Sequence, residues 1–329
     1  MATFYFAGNK SVGDYVRDRL EAADCFEVYD PGEASVCFTY FTSEADVETV
    51  YLDSDGLFQV AQQDALIVDL SSISPSFARE LSALAQVSGI HFVEAPIALI
   101  DTTIADAFCS RDNVTCCVAG TDDAIRAAWP FLDVLFSQIH VCGSAGAAQL
   151  AHAAYAMQLA ALLATSAEAY ALFSVNAGEA TGAFSDACAH EGCGCASSSK
   201  CPPALTKESE TILRAMCEKR FMGGYTVEML RGDLEAAIRA AEDAELTFPV
   251  LEACDHLLEL LSVVGGSDLN PAAVALDYSS EEEAKPFGID WERAEAFSFH
   301  SHDDDDDDDY DDDDFDDDDF EHFIDRTGF

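Results

Sequence analysis

Gly143–Phe173, GSAGAAQLAHAAYAMQLAALLATSAEAYALF, decides how the chain divides. After Gly146 it holds neither glycine nor proline, and alanine and leucine dominate. Intrinsic propensity therefore predicts one uninterrupted helix, far longer than the usual three turns. Its apolar residues run nearly all round, the pattern of an element buried between two masses of protein. The window Ala153–Leu172 has the length of a bilayer span, but it carries Gln158 and Glu168, is rich in alanine and has no basic flank. These features argue against a membrane. Gln149, His152 and Tyr155 recur at every third position near the start and share one broad face, either as partly solvated first turns or as a site where the helix begins.

Ahead of this helix, short apolar runs alternate with amphipathic segments. Residues 3–7, TFYFA, end at Gly8; an amphipathic stretch runs from Val12 to Ala23, and a second apolar run, Cys25–Tyr29, ends at Asp30. This is the outline of a strand, turn, helix and strand with an acid about 20 residues past the glycine turn, as a dinucleotide-binding unit requires. Only one glycine of a GxGxxG pattern survives: with Gly8 second, Phe6 stands first and Ser11 third. Gly8 and Asn9 are the candidate phosphate-side residues. Asp30 would accept hydrogen bonds from ribose hydroxyls and repel a 2′-phosphate, so NAD is expected over NADP. Strands are predicted at Ala34–Phe41, Ala65–Leu70, His91–Glu94 and Asn113–Ala119. Helices are predicted at Glu44–Tyr51, from Ser74 (N-cap) and Pro75 to Gly89, and over Asp122–Phe136 behind Thr121. This alternation predicts a mostly parallel sheet covered on both faces.

Several stretches together carry a resemblance: IVDLSSISPSFARELSALAQVSGIHFVEAPI, CGSAGAAQLAHAAYAM and GGYTVEMLRGDLEAAIRAAEDAELTFPVLEAC. In order and spacing the chain resembles the β-hydroxyacid dehydrogenase family, of the 3-hydroxyisobutyrate dehydrogenase type, and the NAD-binding part of 6-phosphogluconate dehydrogenase. Asp69–Pro75 matches the family's Asp-x-Ser-Thr-x-x-Pro turn and Glu94–Ile97 the start of its Asp-Ala-Pro-Val-Ser-Gly-Gly segment. The resemblance implies hydride transfer between a hydroxyl-bearing carbon and NAD or NADP, in a cleft between two domains, and a homo-oligomer formed through the helical domain.

The departures fall where chemistry would be. His152 occupies the place of the family's catalytic lysine, and Tyr155 that of an asparagine three residues on. The substrate-binding Ser-Gly-Gly becomes Ala98, Leu99 and Ile100. A cofactor-side lysine is replaced by Gly232, with Arg231 before it and Asp233 and Leu234 in place. Ser72 stands for the cofactor-side threonine and keeps the hydroxyl. These changes remove charge: an Ala-Leu-Ile segment offers an acid only backbone donors, so a less anionic small-molecule substrate is expected. His152 has two readings, a general base for a hydroxyl proton with Tyr155 beside it, or a buried helix histidine without a task. An alternative to the enzyme is a catalytically degenerate binding or regulatory protein on the same fold.

Composition bounds the rest. The chain is 329 residues long, 49% hydrophobic, with a formal charge of −47. Residues 301–329 hold 17 acids and one Arg, so −31 remains on residues 1–300. An acidic body repels phosphate backbones and argues against nucleic acid. The N-terminus, MATFYFAGNK, has no basic n-region, and the expected location is cytoplasmic. Among the twelve cysteines, Cys188, Cys193, Cys195 and Cys201 with His190 are close together, but their spacing matches no standard zinc site and no metal is assigned. Asp303–Asp319 holds fifteen aspartates broken by Tyr310 and Phe315. It reads as a disordered, solvated tail, with docking to a basic partner or weak divalent-cation binding as the other reading. The expected fold is therefore α/β: a Rossmann-type, mostly parallel sheet over residues 1–142, then a long interdomain helix and an all-helical domain over 143–278 with a Cys-rich loop at 186–203, then an acidic tail over 279–329.

Overall fold

The computed structural model describes residues 2–180 and 201–294. Cys188, His190, Cys193 and Cys195, the aspartate run, and the metal and partner readings attached to them lie outside the described residues.

The first half is a sheet of eight strands. β1 (Thr3–Gly8), β2 (Phe26–Glu27), β3 (Val36–Tyr40), β4 (Leu66–Asp69) and β5 (His91–Glu94) stand side by side in the order β2-β1-β3-β4-β5, all parallel. Between them run α1 (Lys10–Ala22), α2 (Glu44–Leu52), α3 (Leu57–Val60) and α4 (Pro75–Val87). Every residue of β3 and β4 is buried, as strands covered on both faces must be. Period two sorts their side chains: Val36, Phe38 and Val68 join α1 in one core cluster, whereas Cys37 and Ile67 join α2 and α4 in the other. Ser74 caps α4 by accepting from Phe77 N, with Pro75 at the first helical position.

Beyond β5 the sheet turns back. β6 (Ile97–Leu99) and the end of β5 pair antiparallel with β7 (Val114–Gly120); after α5 (Asp122–Leu135), β8 (Gln138–Gly143) returns parallel to β7. Neither β6 nor β8 stands out in the sequence. β8 has no buried residue and so no apolar alternation to betray it.

α6 (Ala147–Ala180) is the long helix, 34 residues, and α7 (Lys207–Cys217), α8 (Val227–Asp243), α9 (Pro249–Leu261) and a 3₁₀ segment (Pro271–Tyr278) pack on it. Ala153, Ala156, Ala160, Leu163 and Ala167 form its buried stripe, at the three-four spacing of one helix face. Burial all round, as composition suggests, is not what the fold provides. Leu150, Leu172 and Val175 are 61%, 70% and 85% exposed, because the helical domain covers one side only. By length and composition α6 could cross a bilayer, yet Gln149, His152 and Ser166 on it are buried against protein. The two halves also meet along α8, where Arg239 pairs with Glu44 at 3.1 Å and Ser76 donates to Asp243.

Candidate functional site

Register places three polar residues in a row. Thr39, Asp69 and Glu94 are Cα partners across β3, β4 and β5 at the C-terminal ends of the strands, where ligands of open α/β sheets bind. All three are buried. Asp69 Oδ1 accepts from Thr39 Oγ1 and from Ser71 N, each at 3.0 Å. Glu94 accepts from Gly146 N, just ahead of α6. Gln149 staples the same turn of α6 to the sheet: its Nε2 donates to Ser71 O at 3.0 Å and its Oε1 accepts from Ile73 N at 3.2 Å. Burial pushes the Asp69 carboxyl up to about 6 and the Glu94 carboxyl up to about 7, although backbone donors at the α6 N-terminus oppose the second shift.

Glu94 supplies a pH test. Its folded-state pKa lies above the ordinary 4.5, so the stabilisation is complete below the unfolded value and is lost as pH rises towards about 7. Glu94→Gln stays neutral throughout. Relative to the variant, the wild type should lose up to about 3 kcal/mol of unfolding free energy between pH 5 and pH 8. Urea unfolding at each pH measures this; parallel curves for the two proteins would rule it out.

One turn further along α6, His152 is 1% exposed. Its Nε2 lies 3.2 Å from Asp233 Oδ2 on α8. Neither ring nitrogen meets hydrogen-bond geometry, and Nδ1 has no partner among the described residues. The Tyr225 hydroxyl donates to the same Asp233 oxygen. The Tyr155 ring lies 6.0 Å from the His152 ring, and its hydroxyl donates to Leu99 O. Burial, then the Asp233 charge, pushes the phenols of Tyr40, Tyr155 and Tyr225 above their ordinary range, which keeps them as neutral donors. The structure thus brings His152 and Tyr155 together and adds Asp233 and Tyr225.

The substrate-side residues divide. Leu99 is buried with its carbonyl taken by Tyr155, and Ala98 pairs with Thr115 in β6. Only Ile100 opens onto a cavity of about 590 Å³, walled also by Asp101, Thr102, Tyr155, Gln158 and Ile212. Tyr155 lines this cavity and His152 does not, although the two rings lie 6.0 Å apart. Ala98 and Leu99 do not line it, because β6 holds both in antiparallel pairing with β7.

On the nucleotide side, Gly8 has φ +127°, and a Cβ there would sit 1.9 Å from Tyr40 O. Only glycine fits that turn. Asn9 caps α1, its Oδ1 accepting from Ser11 N at 2.9 Å and Val12 N at 3.4 Å. Asp30 is exposed and accepts from Gly32 N at 2.9 Å. Ser72 is buried in the turn after β4, and its hydroxyl has no partner among the described residues. The Phe6 ring fills the space over Gly13, 2.7 Å from where a Cβ would be. Arg231 turns away, towards Asp255 and Glu259 of α9 at 3.8 and 3.5 Å.

Residues 10–143 match the model of the NAD-binding domain of 6-phosphogluconate dehydrogenase. An uncharacterized oxidoreductase of Synechocystis sp. is 29% identical over 74% of this chain and 78% of its own. The likeness to the NAD-binding domain of 6-phosphogluconate dehydrogenase thus covers the sheet-bearing first part of the chain. An NAD-dependent L-serine dehydrogenase of Pseudomonas aeruginosa is 29% identical over 53% of each chain, so that match spans about half of either. A 3-hydroxyisobutyrate dehydrogenase of Mycobacterium tuberculosis, with L-serine, shares the fold: TM-score 0.64, 24% identity, 85% of this chain and 100% of that one. In the sequence Asp233 has a local signal, its place beside Gly232 in the stretch that carries the resemblance, but Tyr225 has none.

Proposed function

We propose that the protein is a nicotinamide-dependent oxidoreductase acting on a small hydroxyl or carbonyl compound that it does not hold as a carboxylate. The observation that carries this is the buried His152–Asp233–Tyr225 cluster at the start of α6, behind the C-terminal edge of a dinucleotide-type sheet. A fully buried imidazole beside a carboxylate is costly to maintain unless the pair does something.

The residues present suit the cofactor. The α1 N-terminus and the Gly8 turn would receive the pyrophosphate, Asp30 the ribose hydroxyls, and Ser72 the nicotinamide side. Asn9 has to release Ser11 N and Val12 N, a loss of about 1 kcal/mol for a helix cap, well within what a dinucleotide returns. A bound nicotinamide supplies the hydride acceptor or donor. The chain's own share is proton transfer and orientation. With a proton on Nε2 facing Asp233, the unpartnered Nδ1 of His152 is the atom free to take a hydroxyl proton. Asp233 then balances the imidazolium, and Tyr225 fixes Asp233. Asp30 favours NAD, since a 2′-phosphate would meet its charge.

Fluorescence titration of the purified protein with NADH and NADPH tests the reading. Saturable binding in the micromolar range is expected, at least about tenfold tighter for NADH, roughly 1.4 kcal/mol. Silence with both would discard it in favour of a non-catalytic binding protein. Two contacts support that second reading: the Phe6 ring over Gly13, and the close approach of Gly232 to Thr42.

A further inference from the structure

We propose that Gln149 is the positioning residue of the site: its side-chain amide sets where α6, and with it His152, stands against the turn that carries Ser72. This role rests on the proton-transfer reading of His152 given above, in which Gln149 itself touches neither cofactor nor substrate. Gln149 is buried and stands three residues, about 4.5 Å of helix rise, ahead of His152. Its Nε2 donates to Ser71 O at 3.0 Å and its Oε1 accepts from Ile73 N at 3.2 Å, so one amide grips the turn on both sides of Ser72. A residue of a parallel strand pairs with the residue opposite it in the same way, donating to the carbonyl before it and accepting from the N–H after it. The side-chain amide can do this because it carries donor and acceptor side by side, as a peptide group does. A carbonyl only accepts and a backbone N–H only donates, so the amide fits this turn one way round.

The turn is the fixed partner. Ser71 N donates to Asp69 Oδ1 and Phe41 N to Ser71 Oγ, each at 3.0 Å, which ties the turn to β4 and to the residue after β3. His152 has no such tether: neither ring nitrogen makes a hydrogen bond among the described residues, although Asp233 Oδ2 lies 3.2 Å away. An imidazole without bonds of its own takes its place from the helix that bears it. Displacing the start of α6 from the turn therefore moves His152 as well, and a misplacement of about 1 Å can cost a reacting group about 10²-fold in rate. The helix keeps other seats when Gln149 is changed. Glu94 accepts from Gly146 N, and Gly146, at φ +88°, lies so near α4 that a Cβ there would be 2.8 Å from Pro75 O. Both contacts lie at Gly146, and neither bonds to the Ser71–Ile73 turn.

Two substitutions of nearly the same size separate the hydrogen bonds from the packing. Gln149→Met removes both bonds. Gln149→Glu keeps the shape, and its carboxyl reproduces the amide only while protonated, the O–H donating to Ser71 O and the C=O accepting from Ile73 N. Once ionised, it sets oxygen against oxygen. Burial and the facing carbonyl both hold the proton on, so the loss comes as pH rises. The introduced carboxyl shares its surroundings with Asp69 on β4, Glu94 on β5 and His152 on α6. These groups are present in the wild type as well, so each variant is read against the wild type at the same pH.

The experiment uses the full chain with carbon-labelled histidine rings, the His152 cross-peak being the one absent from His152→Ala. Proton–carbon spectra are recorded at about pH 6 and about pH 8.5, on either side of where a buried carboxyl is expected to titrate. We expect Gln149→Met to displace the His152 cross-peak at both values. Gln149→Glu should leave it at the wild-type position at the lower pH and displace it at the higher. On the first substrate identified, kcat should follow the same pattern, about 10²-fold lower wherever the cross-peak is displaced, with the NADH dissociation constant within about threefold. A Glu variant at the wild-type position throughout, beside a displaced Met variant, supports the role too, its carboxyl then keeping the proton. A Met variant with the wild-type cross-peak, or a Glu variant displaced alike at both values, overturns it, because packing alone does not change when a carboxyl gains a proton. NADH titration of the wild type is read separately: silence there removes the cofactor reading of the site, whereas the histidine spectra decide the place of Gln149 either way.

Discussion

Lysine at position 232, the residue the family resemblance would put there, is expected to destabilise this protein by about 3 kcal/mol or more, at the upper end of what overpacking costs. A Cβ on Gly232 would lie 2.2 Å from Thr42 O, 3.0 Å from Thr42 C and 3.2 Å from Thr42 Cα. All three are backbone atoms, which cannot swing aside as a side-chain tip can. The loop that holds them is tethered: Phe41 N donates to Ser71 Oγ at 3.0 Å, and Thr42 Oγ1 reaches Glu228 at 3.5 Å. The clash is with the first side-chain carbon, so Gly232→Ala should cost most of what Gly232→Lys costs, although alanine is the better helix former by about 1 kcal/mol. Urea unfolding of the two variants beside the wild type measures this. An alanine variant as stable as the wild type would show that the loop gives way, and the close seating of α8 on the β3 end would then be no constraint.

That contact also explains why Gly232 cannot be read as simple loss of a cofactor ligand. The position has been given to packing between the two halves. At Gly232 the Thr42 loop closes onto α8, and Glu44 and Arg239 extend the same seam. A single substitution in the motif thus marks a change of shape that only a three-dimensional neighbour reveals.

What was legible follows the range of the signal. Ser74 with Pro75, and Thr121, mark helix starts because caps and fixed φ angles act over three or four residues. The central strands were legible because strands buried on both faces are continuously apolar. β6 was not, because Ile97–Leu99 is too short to show a period and follows a proline. Ala98 and Leu99 are expected on the substrate side from the family's Ser-Gly-Gly segment alone, and β6 holds both in pairing with β7. His152 could be found from its place in a motif and Asp233 from its place beside Gly232, but not that the two meet: they lie on different helices, and no spacing rule relates α6 to α8. Tyr225 comes from the loop ahead of α8 and reaches the site only because Thr226 caps that helix, turning the chain beside Asp233.

His152→Ala is expected to lower kcat on the first substrate identified by about 10²–10⁴, the usual worth of a positioned general base, while leaving the NADH dissociation constant within about twofold. Asp233→Asn is the more informative change. Asparagine can still accept from the Tyr225 hydroxyl, so the fold should survive, but it brings no charge to His152. If His152 becomes an imidazolium during turnover, losing that charge lowers kcat by about 10²-fold or more, with KM little altered. If His152 only packs, kcat stays put and stability alone moves. Asp233→Ala separates the two effects further, because it strands both the imidazole and the Tyr225 hydroxyl in the core and should cost about 3–5 kcal/mol of folding free energy, with a lower Tm. Steady-state kinetics together with urea unfolding on the three variants decides the role. Turnover by Asp233→Asn at the wild-type rate would leave His152 without a catalytic partner, and the proton-transfer role assigned to Nδ1 would fall with it.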